Sequence, residues 1–232
     1  MRHDPFLYVK DHGSYSKRFF SESEEIQFYK NRKKLTQLKD GYYLRHLIEY
    51  KTNKYNYRCS HENIDNSDYM IALGCSHTFG AGLHKEHRYS DLLESEYDCK
   101  VFNLGYPGGS QNLIKDNLLH LISSGCRLPK VAIIQWPAEA RLYFGYQGMN
   151  WHTKNTNKTL SLESMEYYSK IAREHVYWML DEYAIPFIEF QWFASKFSHP
   201  IFDLDKARDL DHPGIDSHEA VFKWCKEQIN AL

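Results

Sequence analysis

Three short stretches of this 232-residue chain carry residue types that can do chemistry together. The first is Gly74-Cys75-Ser76-His77-Thr78-Phe79-Gly80, directly after an apolar run. A serine just past a strand end, flanked by glycine, can sit on a tight turn with its hydroxyl exposed. Amides at the start of a following helix then face any oxyanion formed there. The spelling is not the G-x-S-x-G elbow, because Thr78 stands where the second glycine would be. It also suits a plain strand-to-helix turn capped by Ser76. The second stretch is Asn103-Leu104-Gly105-Tyr106-Pro107-Gly108-Gly109-Ser110. Glycines let backbone amides approach a ligand unobstructed; a sharp turn with Ser110 as helix cap is the alternative. The third is Asp209-Leu210-Asp211-His212-Pro213. An aspartate three residues before a histidine can hold the imidazole in the tautomer that makes its other nitrogen a base. The spacing alone is weak, since chance supplies about one such pair in a chain of this His and Asp content. Its place between the last strand and the last helix singles it out.

These residues need elements to bring them together. Residues 69–73 are a strand-length apolar run ending at Gly74, and 88–97 suit a helix with Leu92 and Leu93 on its apolar face. Residues 101–104 form a second strand closed by Gly105. Leu113, Leu118, Leu119, Leu121 and Ile122 recur at helical spacing up to Gly125. Residues 131–135 are a third strand, stopped by Pro137; 161–183 carry the longest helical pattern; 186–190 are a fourth strand; and a last helix runs from about Ser217 to Ile229. This alternation predicts a three-layer α/β/α sandwich with a parallel, flavodoxin-like sheet. Ligands of such sheets lie outside the carboxyl ends of the strands, where Gly74, Gly105 and Trp136 fall.

Residues 1–68 differ in character. They hold 13 basic and 10 acidic residues, against 16 and 20 in 69–232. They are rich in Tyr, Lys and Asn, with few aliphatic runs for a core of their own. Ser21-Glu22-Ser23-Glu24 spells the cap of a short helix, and 44–50 suit either a strand or a helical turn. The reading is an N-terminal extension, 1–68, packed on an α/β domain, 69–232.

Composition sets the outer limits. With 42% hydrophobic and 25% charged residues the chain can bury a core, which excludes disorder and low-complexity architectures. No run approaches the roughly 18 apolar residues of a membrane span. The first residues, MRHDPFLYVKDHG, have no apolar leader region. A net charge of −1 gives no electrostatic pull toward nucleic acid or an anionic membrane. Five cysteines without a C-x-x-C read as reduced thiols, so the expected location is cytoplasmic. His84-Lys85-Glu86-His87 has metal-ligand types, but a lone H-x-x-H reads as solvated surface, and no metal or cofactor is expected. Nothing in the sequence sets an oligomeric state.

Taken in order and context, the three stretches resemble the blocks of the SGNH (GDSL-like) hydrolase family, over roughly residues 69–232. Asn53-Lys54-Tyr55-Asn56-Tyr57-Arg58 also looks like the N-x-x-G-[FY]-R lead-in of some relatives, with Asn56 in place of glycine. The resemblance implies Ser76 as nucleophile, Asp209 and His212 as orienting acid and base, and the amides of Ser76 and Gly108 as oxyanion hole. It implies a carboxylic-ester hydrolase whose substrate is a small acyl group on a sugar or similar alcohol. An O-acyltransferase with the same triad, or a binding or structural protein that has lost catalysis, is the alternative.

Two positions depart from the family pattern. Cys75 replaces the aspartate of G-D-S, and Glu139 stands where a G-x-N-D asparagine would complete the oxyanion hole. An ionised carboxylate cannot donate there; Gln135, Asn112 or a main-chain amide are possible substitutes. Cys75 beside Ser76 could be a nucleophile itself, but successive residues leaving a strand point different ways, which favours a buried, inert thiol. His218 is the reserve base. Trp136, Arg141, Tyr143, Phe144 and Tyr146 form an aromatic stretch that either lines a substrate pocket, Trp136 and Arg141 foremost, or packs a satellite core.

Overall fold

The computed structural model describes residues 16–65, 67–138, 141–144, 149–152, 162–192 and 202–232. The extension contributes β1 (Ser16–Lys17), α1 (Glu22–Lys30), α2 (Arg32–Gln37), α3 (Tyr42–Arg45) and β2 (Tyr50–Lys51). There follow β3 (Tyr69–Gly74), α4 (Ser76–Phe79), α5 (Tyr89–Tyr97), β4 (Lys100–Gly105), α6 (Gln111–Ser123) and β5 (Val131–Gln135). The chain continues through β6 (Arg141–Phe144), β7 (Met149–His152), α7 (Leu162–Glu182), β8 (Phe187–Phe190) and α8 (Ile215–Ala231).

Strands β4, β3, β5 and β8 lie in that order in one sheet, and every pairing is parallel. Numbered by these four strands the order is 2-1-3-4, that of flavodoxin-like sheets. The period-two alternation of the strands builds the layers. Ile71, Leu73, Phe102, Leu104, Ala132 and Ile134 pack under α6 and α7; Met70, Ala72, Val101, Val131 and Ile133 pack under α5 and α8. The expected α/β/α sandwich is therefore present. No helix among the described residues is long and apolar enough to cross a membrane.

A third apolar cluster joins the extension to the sheet's carboxyl edge. Phe28, Leu35, Tyr43, Ile48 and Tyr50 share it with Phe79, Ala81, Leu83, Ala207 and Ile215. The 44–50 segment turns out to be mixed, a helical turn over Tyr42–Arg45 followed by the start of β2. One element differs from the sequence reading: the stretch after Trp136, read as a loop, contains a β6–β7 antiparallel pair with Arg141 opposite His152. The sequence between the two strands carries no Asn-Gly or Asp-Gly signal, and so gave no cue to a hairpin.

Candidate active site

The serine comes from the first crossover. β3 ends at Gly74, Cys75 is extended, and Ser76 is the first residue of α4. Ser76 is thus not the cap; Cys75 holds that position. The job a capping side chain would do falls to Gln135, whose Oε1 accepts from the Cys75 amide at 3.0 Å and from the Thr78 hydroxyl at 3.3 Å. The Cys75 thiol donates to the same oxygen at 3.2 Å and is buried. Gln135 Nε2 donates to the Trp136 carbonyl at 2.8 Å. The amide oxygen is thus spent on the serine turn and one of the two Nε2 hydrogens on the Trp136 carbonyl. From β4, Asn103 Nδ2 donates to the Thr78 carbonyl at 2.7 Å and fixes the far end of α4.

The histidine comes from the turn before α8. Asp209 Oδ1 accepts from the amides of Asp211 (3.1 Å) and His212 (3.0 Å), and Ala207 N–H bonds the His212 carbonyl at 2.8 Å. Leu210 takes a positive φ of 62° to close this turn, the kind of local strain that clusters at functional sites. Asp205 caps α8 from outside, accepting from Asp216 N–H at 3.2 Å, and from Ser217 N–H at 2.9 Å and its hydroxyl at 2.8 Å. Gly82 brings the two halves together. Its φ is +77°, and a Cβ there would lie 2.6 Å from that of Ala207. Arg208 N–H donates to the Gly82 carbonyl at 3.2 Å.

At the junction, His212 Nδ1 lies 2.5 Å from Asp209 Oδ2, and Nε2 lies 2.8 Å from Ser76 Oγ. An ionised Asp209 can only accept, so Nδ1 carries the proton and Nε2 is left to accept from the serine hydroxyl. Burial opposes a charge on His212, but the hydrogen bond and charge of Asp209, with Asp211 beyond, outweigh it and hold the imidazole above its ordinary range. Burial likewise opposes the Asp209 carboxylate; His212 and the turn amides outweigh it and hold that group below the usual carboxylate range. The arrangement allows proton transfer from a serine hydroxyl to a base steadied by a buried carboxylate.

The other sequence candidates sort differently. Gly108 lies in the turn after β4 with φ +76°, and that turn is tied to the serine strand by Tyr106 N–H on the Gly74 carbonyl at 3.3 Å. Asn112 is the second residue of α6 and half-buried. His218 does not reach the serine. Its Nδ1 accepts from the Tyr89 amide at 3.2 Å, capping α5, and burial first, then the nearby His77 and Arg88, push its pKa well below the ordinary value. His84 and His87 meet the Tyr42 ring edge to face, His84 meets His46 the same way, and His87 Nε2 bonds Tyr42 Oη at 2.9 Å. Trp136 is 1% exposed. Its indole N–H donates to Glu189 at 2.6 Å and the Arg173 guanidinium covers its ring at 4.4 Å, so it packs the core under α7 and leaves no surface for a pocket. Arg141 begins β6; Tyr146 and Glu139 lie outside the described residues.

The lead-in segment bears on the site directly. Asn56 has φ 70°, the left-handed conformation in which glycine is easiest. Arg58 then reaches under the serine turn, donating to the carbonyls of Gly80 (2.6 Å) and Leu83 (2.8 Å) while its guanidinium lies 4.4 Å over the Tyr50 ring. Sequence reasoning missed Gln135's capping role, Asp205 and Glu24; of these only Glu24, inside the Ser21–Glu24 cap spelling, carried a visible signal.

No family model matches the sequence, and no curated protein matches it. Solved structures do resemble it. AlinE4, a SGNH-hydrolase family esterase, is 14% identical over 72% of this chain and 75% of its own, with a TM-score of 0.38. The psychrotrophic esterase EstA from Pseudoalteromonas sp. is 15% identical over 71% and 97%, with a TM-score of 0.41. A family two carbohydrate esterase from Clostridium thermocellum is 11% identical over 74% and 66%, with a TM-score of 0.39. All three are named as esterases, the first of them as a SGNH-hydrolase, at low sequence identity.

Proposed function

We propose that this protein is a serine-dependent carboxylic-ester hydrolase. The observation that carries the reading is the continuous line Asp209–His212–Ser76, at 2.5 and 2.8 Å, with the tautomer set by the carboxylate. In this reading His212 Nε2 takes the Ser76 proton as Oγ attacks the ester carbonyl, and Asp209 stabilises the imidazolium. The amides of Ser76 and Gly108 receive the oxyanion. The imidazolium returns its proton to the leaving alkoxide; His212 then draws a proton from water as it attacks the acyl-enzyme, and hands that proton to Ser76 Oγ as the acid is released. Small acyl groups on a sugar or similar alcohol are the substrate class this reading carries over from the family resemblance.

The test is covalent labelling by a fluorophosphonate, with burst release from p-nitrophenyl acetate beside it. Wild type should label and Ser76→Ala should not, because an unassisted serine hydroxyl is a poor nucleophile. A wild-type protein that stays unlabelled where an ordinary serine esterase reacts would leave the non-catalytic reading in its place.

A further inference from the structure

We propose that residues 16–24 of the extension are part of the active site, Phe20 forming a wall of the His212 imidazole and Glu24 acting as the positioning residue that holds both Phe20 and the Asp209 turn. This rests on the triad reading above. Phe20 meets the His212 ring edge to face, centroids 6.1 Å apart at 86°, on a base of Tyr50 (5.7 Å) and Phe79 (6.3 Å).

One carboxylate organises the contact. Glu24 Oε2 accepts from the Phe20 amide at 2.8 Å. Its Oε1 accepts from Tyr50 Oη at 2.7 Å and from Arg208 Nε and Nη2 at 3.1 and 2.7 Å. Arg208 immediately precedes Asp209, and its Nη2 also donates to the Arg18 carbonyl at 2.7 Å. Tyr50 Oη in turn accepts from the Gly82 amide at 2.7 Å, on the serine side. The side chains of Glu24 and Arg208 are 0% and 1% exposed.

A buried ion pair is a poor way to gain stability, since apolar residues of the same volume usually serve as well. Its placement here has a specific consequence. Arg208 is a buried cation one residue from the carboxylate that orients His212. Unmatched, it would compete for Asp209 and make the imidazole a weaker base. Glu24 neutralises it and, through Phe20, keeps water off the His212–Asp209 bond.

The full chain is compared with Glu24→Gln, Glu24→Asp and Phe20→Leu. Two readouts are taken: the NMR titration of the His212 ring, which needs no turnover, and the rate of fluorophosphonate labelling. Glu24→Gln removes the charge and should lower the His212 midpoint by about half a pH unit or more. It should also slow labelling at neutral pH by about tenfold. Glu24→Asp keeps the charge and should hold the midpoint near wild type. Phe20→Leu should let water reach the Nδ1 proton, which then exchanges about tenfold faster. A cooperatively folded Glu24→Gln with an unchanged midpoint overturns the proposal. If that variant does not fold, Phe20→Leu decides: unchanged proton exchange overturns it, faster exchange supports it. A midpoint that moves in a protein the fluorophosphonate never labels would sink the esterase reading and leave the positioning role standing.

Discussion

The serine and the histidine of this site are held in different ways. Around Ser76 the nearest fixing groups belong to the α/β layers: β3 delivers it, Gln135 of β5 caps its helix, and Asn103 of β4 anchors the end of that helix, while Arg58 and Tyr50 of the extension brace the turn beyond it. Around His212 the turn is folded by its own amides on Asp209, but its docking passes through Arg208 to Glu24, 184 residues away in the extension. The serine therefore takes its place chiefly from the parallel sheet. The histidine turn rests on Gly82 and also on a buried ion pair to the extension, which makes the base the half more sensitive to a change in Glu24.

The largest effect separates chemistry from scaffold. Asp209→Asn removes the acceptor that selects the His212 tautomer and should lower kcat by about 10⁴-fold with little change in the melt. In wild type, kcat/KM should fall on the acid side with a midpoint above the ordinary imidazole value of about 6.5, because Asp209 stabilises the charged ring. The sign for stability follows. The raised imidazole contributes below about pH 6.5, and the contribution fades as pH rises through its folded-state pKa. An acid limb centred at or below that ordinary value would show that Asp209 is not coupled to the base.

Next comes the tie to the extension. Arg208→Met leaves Glu24 buried without its cation and should cost about 3–5 kcal/mol in chemical unfolding. Changing Glu24 to Met as well removes the stranded charge, so the double variant should be more stable than the sum of the single losses. On the serine side, Gln135→Met takes the acceptor from the Cys75 amide and the Thr78 hydroxyl, a loss of about 1–3 kcal/mol. Simple additivity of Glu24→Met and Arg208→Met would mean the two side chains do not act as a pair.

Much of the serine half was readable in advance because it is local. Gly74, Ser76 and Gly105 follow apolar runs, and a run followed by glycine marks a strand's carboxyl end. Asp209 and His212 were readable for the same reason, as three-residue neighbours. What escaped was long in sequence. Glu24 sits in a Ser21–Glu24 spelling that announces a helix cap, and half of that cap forms, with Glu24 N–H on Ser21 Oγ at 3.1 Å. One carboxylate oxygen stays local, on the Phe20 amide, while the other goes to Arg208, and no local pattern encodes that second choice. The capping role of Gln135, named in the sequence only as one possible oxyanion donor, escaped for a related reason. Its side chain lies at the right strand end, but which way its amide faces depends on the Cys75 amide across the strand pair.

The smallest expected effect concerns the segment that braces both halves. Asn56 stands at φ 70°, and its side chain donates to Tyr106 Oη at 3.2 Å while its Oδ1 is buried without a partner. Replacing it by Ala or by Gly removes the same hydrogen bond, so that loss cancels when the two variants are compared. What remains is the backbone. A Cβ in the left-handed region costs about 1–2 kcal/mol, whereas glycine's extra freedom in the unfolded chain costs about 0.4–1 kcal/mol. Asn56→Gly should therefore be the more stable of the pair by roughly 1 kcal/mol in denaturant titration. If Asn56→Ala equalled it, the turn would not be held in the left-handed region. Arg58, two residues on, would then owe its place under the Ser76 turn to its own hydrogen bonds and its packing on Tyr50 alone.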